Sequence, residues 1–116
     1  DTANELVEYA KKSGCNGAAI SGDLTNESEA KALVDQTVTA LGGLDILVNN
    51  AAILYLKNFC DMSMDEIEQK IQVNLMSYLR LCHQVLPDMI LRKKGLFSGE
   101  VDAKIRGCGF FVRSYD

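Results

Sequence analysis

Apolar positions along this chain recur with two periods, and the changes between them lay out its elements. From residue 2 to 12, Ala3, Leu6, Val7 and Ala10 fall at helical spacing, with Glu5 and Glu8 early and Lys11 and Lys12 late. That charge order suits a helix dipole, and Ser13-Gly14 stops the helix. Ala18 to Ser21 is a short strand candidate, weakened by its alanines. After Gly22-Asp23-Leu24-Thr25, either Thr25 or Asn26 caps a second helix, and Asn26 with Glu29 fits a capping-box pattern. Ala30, Leu33, Val34, Val38 and Leu41 form its apolar stripe, which ends at Gly42-Gly43. Leu44 to Val48 is then an apolar run with β-branched residues, read as a fully buried strand that ends in a polar turn.

Ile53 to Met62 is irregular. Ser63 and Glu66 form a capping box that opens the longest helix, about Met64 to Arg92. Ile67, Ile71, Leu75, Tyr78, Leu79, Cys82, Val85, Leu86, Met89 and Ile90 recur along it at three and four. Pro87 lies inside and is expected to kink it or weaken its hydrogen bonding. Asn74 also interrupts the apolar pattern, and a mid-helix asparagine is unfavourable unless its side chain is engaged. Two strands alternating with helices point to an α/β protein. In open α/β sheets ligands bind beyond the carboxyl ends of strands, which is where Asn49 and Asn50 stand. Their amides can bond neighbouring backbone or orient a ligand. Ala51 and Ala52 allow a close approach to the backbone.

Composition narrows the function only a little. The chain has 116 residues, 47% of them apolar and 24% charged, with a net charge of −4. One domain is the prior. That charge gives no reason to expect nucleic acid, and no apolar run approaches the length of a membrane helix. Cys15, Cys60, Cys82 and Cys108 form no Cys-x-x-Cys pair and there is a single histidine, His83, so a metal site is not expected. Reduced thiols in an intracellular, cytoplasmic setting are the simpler reading. Charge is uneven: residues 1–91 carry six basic and thirteen acidic side chains, residues 92–116 six and three. The composition breaks near Lys94-Gly95.

Asp45-Ile46-Leu47-Val48-Asn49-Asn50-Ala51 resembles the signature of the short-chain dehydrogenase/reductase family, whose usual form ends Asn-Asn-Ala-Gly. Here Ala52 replaces the glycine and keeps the position small. Asp23-Leu24-Thr25 resembles the family's Asp-[Val/Leu]-Thr element, and Gln72-Val73-Asn74-Leu75 is similar to the helix segment that holds the family's catalytic asparagine. The resemblance implies an incomplete Rossmann-like doubly wound parallel sheet. Residues 1–95 would be a partial NAD(P)-binding domain and residues 96–116 a divergent basic tail. It implies cofactor contacts at Asp23, Leu24, Asn50, Ala51, Ala52 and Val73. At Asn74 it implies a helix bent locally, a water held by the backbone and a proton relay. The cofactor would be NAD or NADP and the substrate a small alcohol or ketone. Each motif also has a plainer reading: capping chemistry at Asp23-Leu24-Thr25, a polar turn at Asn49-Asn50, a satisfied core amide at Asn74.

The family's Gly-rich turn does not occur, and neither does its Tyr-x-x-x-Lys pair: Tyr9, Tyr55 and Tyr78 are followed four residues on by Ser13, Phe59 and Cys82. Leu96 to Ser98 reads as a stub of the next family strand. These features lead to an expected fragment, inactive alone and unstable through exposed sheet edges. Two further readings stand beside it. One is a non-catalytic product that pairs with an intact subunit, or with itself, through Met64–Arg92. The other is an unrelated small α/β binding module.

Overall fold

The computed structural model describes residues 2–99 and 110–113. Helix α1, Thr2–Lys12, ends as its sequence dictates. Gly14 takes φ 78°, the Gly14 N–H reaches the Lys11 carbonyl at 3.0 Å, and the Cys15 N–H reaches that of Ala10 at 2.9 Å. That pair of bonds is the Schellman closure, which needs a left-handed residue after the helix. No residue of α1 is fully buried; Val7 and Ala10 of its apolar stripe are half-buried near the backbone of Gly17, and Leu6 is exposed. The strand expected at Ala18–Ser21 does not form; those residues run as irregular chain, in keeping with the weak strand preference of alanine.

Helix α2, Glu27–Leu41, is capped by Asn26, whose side chain accepts from the N–H groups of Ser28 and Glu29. The expected reciprocal bond is absent. The Glu29 carboxylate instead accepts from the Asp23 N–H at 2.7 Å, so it fastens the preceding turn rather than its own cap. Gly42, at φ 87°, closes the helix. Strand β1, Ile46–Asn49, follows. It starts two residues later than the apolar run suggests, and it is not fully buried. Leu47 and Asn49 face the helices, while Ile46 and Val48 remain 54% and 58% exposed.

A 3-10 turn at Phe59–Asp61 leads to α3, Met64–Ile71, where both bonds of the Ser63–Glu66 capping box are made. The long helix is then widened by a π turn at Gln72–Met76 and resumes as α4, Ser77–Arg92. Pro87 sits inside α4 without ending it, although it cannot donate to the carbonyl one turn back. Tyr78, Leu81, Val85 and Met89 form the buried face of α4. Leu75, Leu79, Leu86 and Ile90, read from sequence as part of one stripe, lie on a second, open face.

Strand β2, Gly95–Gly99, pairs parallel with β1, Leu47 opposite Phe97. This is the strand stub expected at Leu96–Ser98, and it crosses the boundary drawn after residue 95. Strand β3, Phe110–Arg113, pairs antiparallel with β2, giving the order β1-β2-β3. The core lies between this sheet and two helices. Ala30 and Val34 of α2 meet Leu81, Val85 and Met89 of α4, with Leu24, Leu33, Leu44, Leu47 and Leu96 around them. The α/β character and the parallel β1–β2 pair are as read from sequence, with α2 and α4 packed together over the sheet and β3 added antiparallel.

Candidate functional site at the carboxyl end of strand β1

Hydrogen bonds link three segments far apart in sequence, one of them the chain that leaves the carboxyl end of β1. The first is the turn Asp23-Leu24-Thr25. The Asp23 carboxylate accepts from the Thr25 N–H at 2.9 Å and from its hydroxyl at 2.7 Å, both through Oδ1. The Thr25 hydroxyl and then its N–H hold the Asp23 carboxyl below its ordinary value, with a smaller contribution from the charge of Arg80. Asp23 is exposed and Leu24 half-buried. Oδ2 of Asp23 is left open to an outside donor.

The second segment is the turn that leaves β1. Asn49 is 4% exposed. Its amide nitrogen donates to the Cys82 sulfur at 3.7 Å, while its Oδ1 is buried with no partner among the described residues. Burial pushes the Cys82 thiol up, against a smaller opposing effect of the Asn49 bond, so it stays a thiol at neutral pH. Asn50, Ala51 and Ala52 are exposed. Two small side chains there leave the backbone accessible to a flat or bulky ligand.

The third is the π turn. Asn74 Oδ1 accepts from the Ile53 N–H at 2.8 Å, and Asn74 Nδ2 donates to the Ile53 carbonyl at 2.9 Å. One carboxamide therefore clasps both polar groups of one residue, directly after Ala52. That explains a mid-helix asparagine: its side chain replaces the partners that irregular backbone lacks. The Ser77 N–H reaches back five residues to the Gln72 carbonyl, the signature of a π turn, and the Ser77 hydroxyl donates to the Val73 carbonyl. Val73 is half-buried in this turn.

Arg80 closes the constellation. It donates through Nη1 to the Leu24 carbonyl at 3.3 Å and through Nη2 to Gln72 Oε1 at 2.6 Å. Hence Asp23-Leu24, Asn50-Ala52 and Val73-Asn74 are brought together. Arg80, Gln72, Ile53 and Ser77 were not singled out by sequence reading; the Arg80 bond to Leu24 spans 56 residues, and no local pattern signals it. Beside Asn74 an open cleft of about 920 Å³ runs between residues 54–62 and the α3 helix, lined by Leu54, Leu56, Phe59, Ile67, Ile71 and Leu75. Among the described residues no His, Cys, Asp and Glu group is placed to hold a metal. No helix of the described residues is long and apolar enough to cross a membrane.

These segments offer an open carboxylate oxygen at Asp23 and bare backbone at Ala51-Ala52, while the Leu24 side chain packs on the core. A Gly-rich loop for a pyrophosphate is not among these residues.

Comparison with known proteins identifies the family. A family profile described as short chain dehydrogenase matches residues 1–97. The chain is 34% identical over 98 residues to the oxidoreductase UcpA of Salmonella typhimurium, covering 82% of this chain and 37% of that protein. It is 37% identical over 89 residues to the 7alpha-hydroxysteroid dehydrogenase of Escherichia coli, covering 77% of this chain and 34% of that protein. A solved structure of 7 alpha-hydroxysteroid dehydrogenase complexed with NADH and 7-oxo glycochenodeoxycholic acid matches with a TM-score of 0.73 at 36% identity, over 79% of this chain and 36% of that one. A blue fluorescent protein from a metagenomic library, in complex with NADPH, matches with a TM-score of 0.68 at 25% identity, over 73% of this chain and 34% of that one. The chain spans about a third of the length of the curated relatives it matches. With its profile match over residues 1–97 and its three motifs linked by hydrogen bonds, the chain belongs to the short-chain dehydrogenase family.

Proposed function

We propose that this chain is the central part of an NAD(P)-dependent oxidoreductase that interconverts an alcohol and a ketone, and that it does not turn over alone. The observation that carries this reading is the linkage by hydrogen bonds of the segments bearing Asp23-Leu24, Asn50-Ala52 and Val73-Asn74. In it, Asp23 and Leu24 hold the adenosine end of the dinucleotide. Asn50, Ala51, Ala52 and Val73 line its path, and Asn74 orders the π turn whose backbone holds a water for proton transfer. A bound nicotinamide supplies a hydride donor or acceptor. The residues of this chain bind, orient and hold water. The proton-transferring tyrosine and its lysine are not in this sequence. Free thiols at Cys15, Cys60 and Cys82 fit a reducing, cytoplasmic setting.

The test is titration of the chain with NADH and with NADPH, alongside an assay with added alcohol and ketone substrates. The expected result is weak dinucleotide binding that Asp23→Ala reduces, with no change in nicotinamide absorbance on adding substrate. Absence of binding to either dinucleotide, or turnover by the chain alone, overturns the reading.

A second reading is favoured by the open face of the long helix. Leu75, Leu79, Leu86 and Ile90 are 43%, 46%, 41% and 64% exposed and follow one another at helical spacing. This face pairs with the same face of a second subunit, making a dimer through Met64–Arg92. Sedimentation velocity should show a dimer that Leu79→Glu dissociates; a monomer at every concentration removes this reading. Family membership runs against the third reading, an unrelated binding module.

A further inference from the structure

We propose that Arg80 is a positioning residue for adenine recognition, a guanidinium strap that ties the Asp23-Leu24 loop to the start of the π turn. The proposal rests on the dinucleotide reading above and adds to it a residue that never touches the ligand. Arg80 is on α4, half-buried, one turn beyond the π segment. Its two terminal nitrogens go to different places: Nη1 to the Leu24 carbonyl, Nη2 to Gln72 Oε1. Because those nitrogens sit on one rigid plane, the distance between the two acceptors is set by the guanidinium itself.

What lies on either side of the strap gives it its role. Leu24 follows Asp23, whose carboxylate is oriented by both donors of Thr25. Gln72 precedes Val73, and the π turn it opens carries Asn74 and, through the Ile53 clasp, the Ala51-Ala52 turn. Among the described residues the loop bearing Asp23 is otherwise held by local bonds, the Glu29 carboxylate to the Asp23 N–H among them, and by the packing of Leu24 on the core. Without Arg80 the loop keeps its internal shape but loses its fixed distance to the helix. An adenine base would then meet Asp23 at no defined position. Loss of the strap should therefore cost discrimination between bases as well as affinity.

The experiment titrates the 116-residue chain with AMP and with GMP, followed by amide NMR, for the wild type, Arg80→Met, Arg80→Lys and Gln72→Ala. The wild type should prefer AMP. Arg80→Met should weaken AMP about tenfold, the size of one lost charged hydrogen bond, and bring the AMP-to-GMP ratio towards one. Arg80→Lys should recover part of the affinity and little of the ratio, because one ammonium cannot fork to both acceptors. An unchanged ratio in a folded Arg80→Met chain overturns the strap and leaves the dinucleotide reading standing. Absence of AMP preference in the wild type overturns both. Should Arg80→Met unfold, Gln72→Ala decides, since it removes one arm and keeps the other: a fallen ratio supports the strap and an unchanged one overturns it.

Discussion

At the scale of single residues, Asn74 shows how a side chain and its main chain divide the work. Both polar groups of its carboxamide are taken by Ile53, so any water or proton it handles falls to its backbone. Replacing it with alanine strands two partly buried groups of Ile53. Asn74→Ala should cost about 1–3 kcal/mol in urea unfolding. Lys93, the C-cap of α4, is the only non-glycine with positive φ among the described residues, at 52°. Lys93→Gly relieves that conformation and should raise stability by about 1 kcal/mol in the same assay. Arg92 binds Asp45 and Asp88, each at 2.7 Å, and the Leu44 carbonyl. The Arg92 bond holds the Asp45 carboxyl below its ordinary value of 3.8. A lowered folded value means the contribution is full above the ordinary value and is lost as pH falls through the lowered one. Urea midpoints between about pH 5 and about pH 2 should fall less steeply in Asp45→Asn than in the wild type. Sequence reading found Asn74 because a lone amide in an apolar stripe is conspicuous. It did not find Ile53, because a side-chain bond to backbone leaves no trace in residue type.

At the scale of elements, local chemistry was legible and cover was not. The Ser63–Glu66 box is a four-residue pattern and forms as read. The Asn26–Glu29 pattern looks equivalent, yet Glu29 finds the Asp23 N–H within reach and takes it. Periodicity placed the long helix but merged its two apolar faces, since spacing alone does not say which face meets a neighbour. The same holds for β1. An apolar run announces a strand, but whether Ile46 and Val48 are covered depends on elements distant in sequence. One contact at this scale is tight enough to test. A β-carbon at Gly95 would lie 2.5 Å from the Met89 sulfur and 2.9 Å from its β-carbon. Only glycine lets β2 sit this close to α4. Gly95→Ala should displace Met89 and cost about 1–3 kcal/mol, visible as a lower melting temperature with an unchanged helical circular dichroism signal.

At the scale of the whole molecule, a core with five buried apolar residues among those described supports an outer surface with many exposed large ones, from Leu6 and Tyr9 on α1 to Ile90 and Leu91 on α4. Such a surface favours association. The chain should therefore self-associate or aggregate as concentration rises, and light scattering checks this: a clear, cooperatively melting monomer would contradict it. The order β1-β2-β3 has one more consequence. β2 is bonded on both flanks, and the family match ends inside it, at residue 97. The strand in which the family match ends is thus the interior strand of the sheet, and β3 is what keeps it interior. In deuterium-exchange time, removal of residues 100–116 should turn β2 from the slowest-exchanging strand into one that exchanges as fast as β1.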